Sequence, residues 1–373
     1  MKVKLGEICK VVSGSTPKTH VAAYWGGEHK WVTPAELKED SDVITETERT
    51  LTREGVASAG LKALPVGTVL LSSRAPIGKV AIVGCEMYCN QGFKNLICSP
   101  SVYNRFLFWF LKSKKAFLNS LGRGATFTEI SKQIVENIQI NLPSLARQRE
   151  IVRVLDKVEA IIDKHKRQLA KLDELAKARF VEMFGSTVAN EKKWSTQKIE
   201  TVAPAQCSTQ KQKTTVWLLN LDAVESHTGR ILEYQYVDYT RVGPSTCSFD
   251  EKNVLYSKLR PYLNKVVLPD RPGMATSELV PLRPNDQVNR VFLAHMLRSD
   301  EFVAYIKEKV SGAKMPRVQM DEFRKFPMII PPLPLQRQFA EFVTRVERMK
   351  RKVRASLEAT QKLLGSLMQE YFS

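Results

Sequence analysis

Pro143-Ser144-Leu145-Ala146-Arg147-Gln148-Arg149-Glu150-Ile151 opens a stretch that runs to Gly185, and this stretch decides the fold. A counterpart, Pro331-Pro332-Leu333-Pro334-Leu335-Gln336-Arg337-Gln338-Phe339, runs to the C-terminus. Gln148 matches Gln336 and Arg149 matches Arg337, 188 positions on, about half of the 373 residues. Repeats are sought first because missing one misassigns the whole architecture. The chain reads as a tandem duplication: a globular unit and then a long helix, twice over.

The first helix places Ile151, Leu155, Val158, Ile162, Leu169, Leu172, Ala176 and Met183 at alternating steps of four and three, the seam of a coiled coil. The same register in the second copy gives Phe339, Val343, Val346, Lys350, Leu357, Thr360, Leu364 and Tyr371. Lys350 and Thr360 are polar where the first copy has Ile162 and Leu172, and Val353 stands where the first has His165. Polar seam positions cost stability and specify one partner or register. About 36 residues at about 1.5 Å each reach about 54 Å, more than a small domain is wide. The two helices are therefore expected to pair with each other, antiparallel. Pro143 ends any upstream helix and Ser144 can cap the new one, while Gly185 stops it after Met183-Phe184. Pro334 falls in a first turn, which tolerates it.

Composition narrows the function. A chain of this length with 43% hydrophobic residues can bury two domain cores. Lys+Arg number 57 against 39 Asp+Glu, a net charge of +18, which points to a polyanionic partner, nucleic acid before an anionic membrane surface. Met1 to Glu7 lacks the apolar core of a signal peptide, and the apolar run Phe106 to Leu111 is too short to span a bilayer. A cytoplasmic location is expected. Six cysteines fit buried, reduced thiols. Cys85, Cys89 and Cys98 lie near one another without the spacing of a closed zinc site, so no metal is expected.

The halves share a plan. In the first, the loop Ser13-Gly14-Ser15-Thr16-Pro17-Lys18 suits a phosphate backbone and also suits any surface turn. Strand-like Trp31-Val32-Thr33 and Val69-Leu70-Leu71-Ser72 follow, then the basic turn Arg74-Ala75-Pro76-Ile77-Gly78-Lys79-Val80, an apolar helix from Phe106 to Leu121 and the loop Arg123-Gly124-Ala125-Thr126-Phe127-Thr128. In the second, Trp217-Leu218-Leu219 answers Trp31-Val32-Thr33. Arg260-Pro261-Tyr262-Leu263-Asn264-Lys265-Val266 answers the basic turn, Val291 to Val310 the apolar helix, and Ser311-Gly312-Ala313-Lys314-Met315-Pro316 the glycine loop. Scaffold positions agree and loops differ, the pattern of two domains of one fold with different specificities.

Signals for catalysis are missing. Ile77-Gly78-Lys79-Val80 has neither the upstream glycine nor the hydroxyl of a GxxxxGK[ST] phosphate loop, and no GxGxxG follows a strand. Arg260-Pro261-Tyr262 is no substitute for the Asn-Pro-Pro-Tyr type motif of adenine methyltransferases. The histidines and cysteines form no nucleophile-base spacing, and Asp270 and Glu278 lack the lysine of a nuclease site.

Together these residues resemble the specificity (S) subunit of type I restriction-modification enzymes, the HsdS family. The resemblance covers essentially the whole chain. It rests on the duplicated Pro-x-Leu…Gln-Arg helix starts, on the two basic turns, and on the Gly124-Ala125-Thr126 and Gly312-Ala313-Lys314 loops. Arg147 and Leu335 depart from the glutamate that many members carry before that glutamine. The resemblance implies a mixed α/β (α+β) protein with target recognition domains at 1–142 and 186–330, spacer helices at 143–185 and 331–373, and pseudo-twofold symmetry. It implies a non-catalytic subunit that reads a bipartite double-stranded DNA target and docks two modification subunits and the restriction subunits. S-adenosylmethionine, ATP and Mg are expected on those partners and no cofactor on this chain.

Phosphate contacts position a protein on DNA, and base contacts specify. For phosphates the expected residues are Lys18, Arg74, Lys79, Arg123, Lys211, Lys213, Lys258, Arg260, Lys265 and Lys314. For base edges they are Asn90, Gln91, Thr126, Thr128, Asn264 and Gln319, with Arg317 suited to guanine. Tyr262 is expected to pack on its own strand. Arg149, Arg153, Arg337 and Arg345 flank the seams and are expected to meet partner subunits. A coiled-coil adaptor, or the recognition portion of another methyltransferase or restriction system, is the competing reading. Steep loss of affinity with salt separates true phosphate engagement from an adaptor.

Overall fold

The computed structural model describes residues 2–38, 42–74, 76–122, 129–209, 214–312 and 314–373. Four helices organise it: α1 (Asn104–Ser113), α2 (Leu145–Phe184), α3 (Arg290–Arg298) and α4 (Leu333–Phe372). The chain divides into two compact units, the first made of residues 1–165 and 356–373 and the second of residues 166–355. Each long helix thus contributes one end to each unit. The architecture is mixed α/β.

Unit 1 holds strands β1 (Cys9–Ser13), β2 (Trp25–Val32), β3 (Val43–Ile44), β4 (Arg49–Leu51), β5 (Val69–Leu71), β6 (Val80–Val83), β7 (Tyr88–Cys89) and β8 (Lys94–Cys98). They form a five-stranded sheet in the order β1-β8-β5-β6-β3 and a three-stranded sheet in the order β4-β2-β7. Helix α1 is apolar on every side, with Phe106 to Leu111 all buried, as expected of a helix sunk between other elements. Ile151, Val152 and Leu155 of α2 and Phe372 of α4 pack into the same core, with the Phe106 and Phe372 rings 5.3 Å apart.

Unit 2 holds β9 (Thr215–Leu219), β10 (Gln235–Asp238), β11 (Thr246–Phe249), β12 (Val254–Ser257), β13 (Val266–Val267), β14 (Gly273–Thr276) and β15 (Leu279–Leu282). The sheets run β10-β9-β14-β11 and β13-β12-β15. The strand carrying Trp217 pairs antiparallel with β10 and parallel with β14, just as the strand carrying Trp31 pairs antiparallel with β4 and parallel with β7. Phe180, Phe184, Phe292 and Phe339 form one aromatic cluster at the helix ends, with centroids 4.8 to 5.6 Å apart.

The repeated glutamine has one role in both units. Gln148 is fully buried; its Oε1 accepts from Tyr103 N at 2.8 Å, and its Nε2 donates to Ser101 O and Pro143 O. Gln336 is also fully buried, accepting from Asn289 N at 2.8 Å and donating to Gln287 O and Pro331 O. Tyr103 and Asn289 immediately precede α1 and α3. One saturated amide therefore joins the start of each long helix to the start of the core helix beside it. Ser144 Oγ accepts from Arg147 N at 3.4 Å, and Gly185, at φ 74°, closes α2 in the left-handed conformation that glycine adopts at least cost.

The seam positions are buried or half-buried, and Val152, Phe180 and Phe372 join them although the heptad pattern did not select them. Lys350, expected to set register, is 4% exposed, and its ammonium meets Glu347 at 2.7 Å and Asp173 of α2 within unit 2. The cysteines correct the sequence reading, because Cys207 and Cys247 form a disulfide, their Cα atoms 5.7 Å apart. Ser208 N donates to Ser248 O, laying that segment beside β11, a juxtaposition of residues 40 apart that no local spacing reveals. Cys9, Cys85, Cys89 and Cys98 are free thiols.

Two outcomes follow. Gln148→Leu or Gln336→Leu leaves a buried N–H and two carbonyls unpartnered, which is expected to lower unfolding free energy by about 2–4 kcal/mol, measured by urea denaturation. His295 meets Phe339 edge to face at 5.1 Å; burial, helped by Arg298 and Lys350, lowers its pKa from 6.5 to about 3. The folded form therefore requires the neutral ring, whose full contribution is present above the unfolded pKa and is lost as pH falls toward the folded one. Stability is expected to drop by about 2 kcal/mol between about pH 7 and about pH 5, and His295→Leu should flatten that slope.

Candidate nucleic-acid interface

In unit 1 the hydroxyl-rich loop is stapled against the Trp strand. Ser15 N donates to Cys89 O, Trp31 Nε1 to Ser15 O at 3.1 Å and Trp25 Nε1 to Lys18 O at 3.3 Å. Gly14 is required, since a Cβ there would lie 2.0 Å from Cys89 O. Thr16 Oγ1 donates to Gln91 Oε1, and Asn90 Oδ1 accepts from Gly92 N at 2.9 Å. The fold thus gathers Lys18, Asn90 and Gln91, distant in sequence, around Trp25 and Trp31. Lys18 and Gln91 are exposed, whereas the Asn90 side chain shapes its own turn.

In unit 2 a second group assembles where two chain segments cross. Arg260 N donates to Pro316 O and Val318 N to Lys258 O, both at 2.8 Å, which brings Lys258, Arg260, Lys314, Arg317 and Gln319 together. Arg260 is exposed at φ 48°, a left-handed conformation that strains a non-glycine residue. The ring of Tyr262 is 40% exposed, where packing on its strand was expected, because the turn between Arg260 and Asn264 holds it outward. Among the described residues, the side chains of Lys18, Lys258, Arg260 and Lys314 make no hydrogen bond or ion pair.

Other expected residues are engaged within their own units. Lys79 Nζ donates to Pro34 O at 3.1 Å and Lys265 Nζ to Leu221 O at 2.6 Å, so each lysine of the repeated basic turn reaches the carbonyl just beyond the Trp strand. Burial lowers the Lys265 pKa. Asn264 is buried and donates to Arg298 O, the last carbonyl of α3, at 2.9 Å. Arg317 makes a forked ion pair with Glu278 at 2.8 and 3.0 Å. Arg74 meets Glu129 at 2.9 Å, and Lys94 meets it at 3.0 Å; burial opposes the charge on Glu129, and these two partners outweigh it and hold its pKa below the ordinary value. Arg123, Thr126, Thr128, Lys211 and Lys213 lie outside the described residues.

Two arginines on aromatic faces escaped the sequence reading. The Arg49 guanidinium lies 3.5 Å from the centroid of Trp25, and Arg271 lies 4.3 Å from that of Tyr234. Neither pair is close in sequence, so only the tertiary fold reveals them.

The four flanking arginines fall in two matched clefts. Arg149 and Arg153 line one of about 480 Å³ with Tyr103, Val152, Asp156, Lys157 and Ala160. Arg337 and Arg345 line one of about 510 Å³ with Asn289, Ala340, Glu341, Thr344 and Arg348. Every helix position in one is the 188-residue counterpart of a position in the other. Among the described residues no helix is long and apolar enough to cross a membrane, and no group of three or more His, Cys, Asp or Glu could hold a metal ion.

Comparison with known proteins accords with this arrangement. The family model for the type I restriction modification DNA specificity domain matches residues 1–174 and 234–359, and the chain belongs to that family. It is 35% identical over 184 residues to the type I restriction enzyme MjaIX specificity subunit of Methanocaldococcus jannaschii, covering 48% of this chain and 43% of that one. It is 25% identical over 285 residues to the EcoDI specificity subunit of Escherichia coli, covering 66% of this chain and 63% of that one. The match spans less than two thirds of either relative. Two solved structures share the fold over all of this chain, each at a TM-score of 0.59. One is a chain from a study of complex assembly and conformational transition of the type I R-M system, 18% identical and 97% covered. The other is a type I restriction-modification S subunit from M. genitalium, 12% identical and 96% covered.

The duplicated lysines are open to direct test. Lys79→Met and Lys265→Met each remove a charged donor from a carbonyl, and each is expected to cost about 1.5–3 kcal/mol of unfolding free energy in chemical denaturation.

Proposed function

We propose that the chain is the DNA-recognition subunit of a type I restriction-modification complex and carries no catalysis of its own. Two units with one scaffold and different surface loops, on a chain of net charge +18, are the observation that carries this reading. Each unit reads one half of a bipartite duplex target. The recognition domains are residues 1–142 and 186–330; the helices between and after them pair as an antiparallel coiled coil that sets the unspecified gap. Exposed Lys18, Arg260 and Lys314 and half-buried Lys258 neutralise phosphates, and Gln91 and Gln319 face base edges. Arg123, Thr126, Thr128, Lys211 and Lys213 belong to the same proposed surface, Arg74, Asn90 and Arg317 lie at its margin, and Lys79, Asn264 and Lys265 hold its scaffold. Arg149 and Arg153 in one cleft, and Arg337 and Arg345 in the other, receive two copies of a modification subunit. Those subunits supply S-adenosylmethionine-dependent adenine methylation, and restriction subunits add the ATP- and Mg-dependent steps.

Co-expression with a modification subunit in a methylation-free host, followed by base-resolution mapping of N6-methyladenine, tests the reading. A split motif with one fixed gap is expected, and replacing residues 1–142 should change one half only. Arg149→Glu and Arg337→Glu should each remove one of two bound modification subunits in native mass spectrometry. A stable complex that adds no methylation would return the chain to the adaptor reading.

A further inference from the structure

We infer that Arg49 and Arg271 read guanine, one in each half of the target; this rests on the recognition role proposed above. In unit 1, Arg49 lies directly across from Trp31 in the β2–β4 pair, with its guanidinium 3.5 Å from the Trp25 centroid and 5.6 Å from that of Trp31. The Trp rings are themselves anchored to Ser15 O and Lys18 O, so the face beneath Arg49 is fixed by the loop that presents Lys18. Stacking occupies the face of a guanidinium and leaves its N–H edge free. Among the described residues that edge has no partner, and Arg49 is exposed.

Unit 2 reaches the same result by other means. Arg271 stacks on Tyr234 at 4.3 Å, its Nε and Nη2 each donate to Asp270 at 3.0 Å, and its Nη1 donates to Tyr236 Oη at 3.1 Å. Three N–H groups are thus engaged and two remain to donate outward. Tyr234 Oη donates to the same Asp270 carboxylate at 3.0 Å, which holds ring and guanidinium as one body. Tyr236 on the edge strand β10 is 53% exposed and Tyr239, just after that strand, is 46% exposed, so both rings are left uncovered. Exposed apolar patches of this kind mark interaction surfaces.

An arginine whose plane is set in advance, with two donors facing out, fits the O6 and N7 acceptors of guanine in the major groove. Ordering a long side chain before contact lowers the entropic cost of binding. A phosphate requires neither the stacked plane nor the carboxylate buttress, and the neutral Asp270–Arg271 pair adds little to a purely electrostatic attraction.

The test uses the full chain assembled with its modification subunits and a duplex library of random sequence. The wild type is expected to enrich a bipartite motif with a guanine in each half. Arg49→Gln should reduce guanine preference about tenfold or more at one position of one half, in favour of adenine, which glutamine pairs. Arg271→Gln should do so in the other half alone, and Asp270→Asn should weaken the same position as Arg271→Gln. Loss confined to one base pair also shows that the mutated unit remains folded. A variant that binds all sequences more weakly, with a lower salt slope and an unchanged motif, would mark a phosphate contact and overturn the inference. Unchanged motif and affinity would overturn it as well, while the recognition role stood. A wild-type complex that enriches no sequence would remove the recognition role and the inference with it.

Discussion

A glutamine amide with every hydrogen-bonding site near saturation, buried at the start of each long helix, is the contact on which the rest depends. Gln148 and Gln336 each take one N–H from the residue that precedes a core helix and give two N–H groups to carbonyls on either side. A buried amide with this geometry tolerates no rotation, because any turn leaves polar groups unpaired in a dry interior. It therefore fixes where each long helix leaves its unit. The adjacent Arg149 and Arg337 are carried into equivalent clefts as a direct consequence.

The same logic separates scaffold from surface within each unit. Lys79 and Lys265 look like phosphate ligands by composition, yet each ties a basic turn to the end of the Trp strand. That tie recurs in both units with unlike neighbours, so it belongs to the fold and not to one loop. The loops beside it are free to differ. In unit 1 an arginine sits on indole rings; in unit 2 it sits on a phenol and is gripped by a carboxylate. The two units thus carry chemically different surfaces on one framework.

The long helices show how far periodicity carries an argument. A seam of alternating steps marked Ile151, Leu155, Val158 and Ile162 as buried, and all four are. It also marked Lys350 as a polar intruder, and the structure supplies the reason: Asp173 and Glu347 neutralise its charge where burial alone would be costly. Phe180 and Phe372 fall outside the heptad pattern because they pack against α3 and α1, with Phe180 also meeting Phe339 of α4. Their burial is set by what lies beside them.

The amino-acid sequence by itself determined the duplication, the two long helices with their caps, the mixed α/β class and the basic character. Each of these depends on residues close along the chain or on a fixed offset, so local spacing carries the information. Tertiary structure alone decided which cations remain exposed, which lysines brace a strand, that Cys207 bonds Cys247, and that Arg49 and Arg271 lie on aromatic rings. A side chain's role as ligand or brace turns on whether a carbonyl or carboxylate from a remote segment stands within about 3 Å of it. That distance is a product of strand pairing and packing, and no pattern along the chain encodes it.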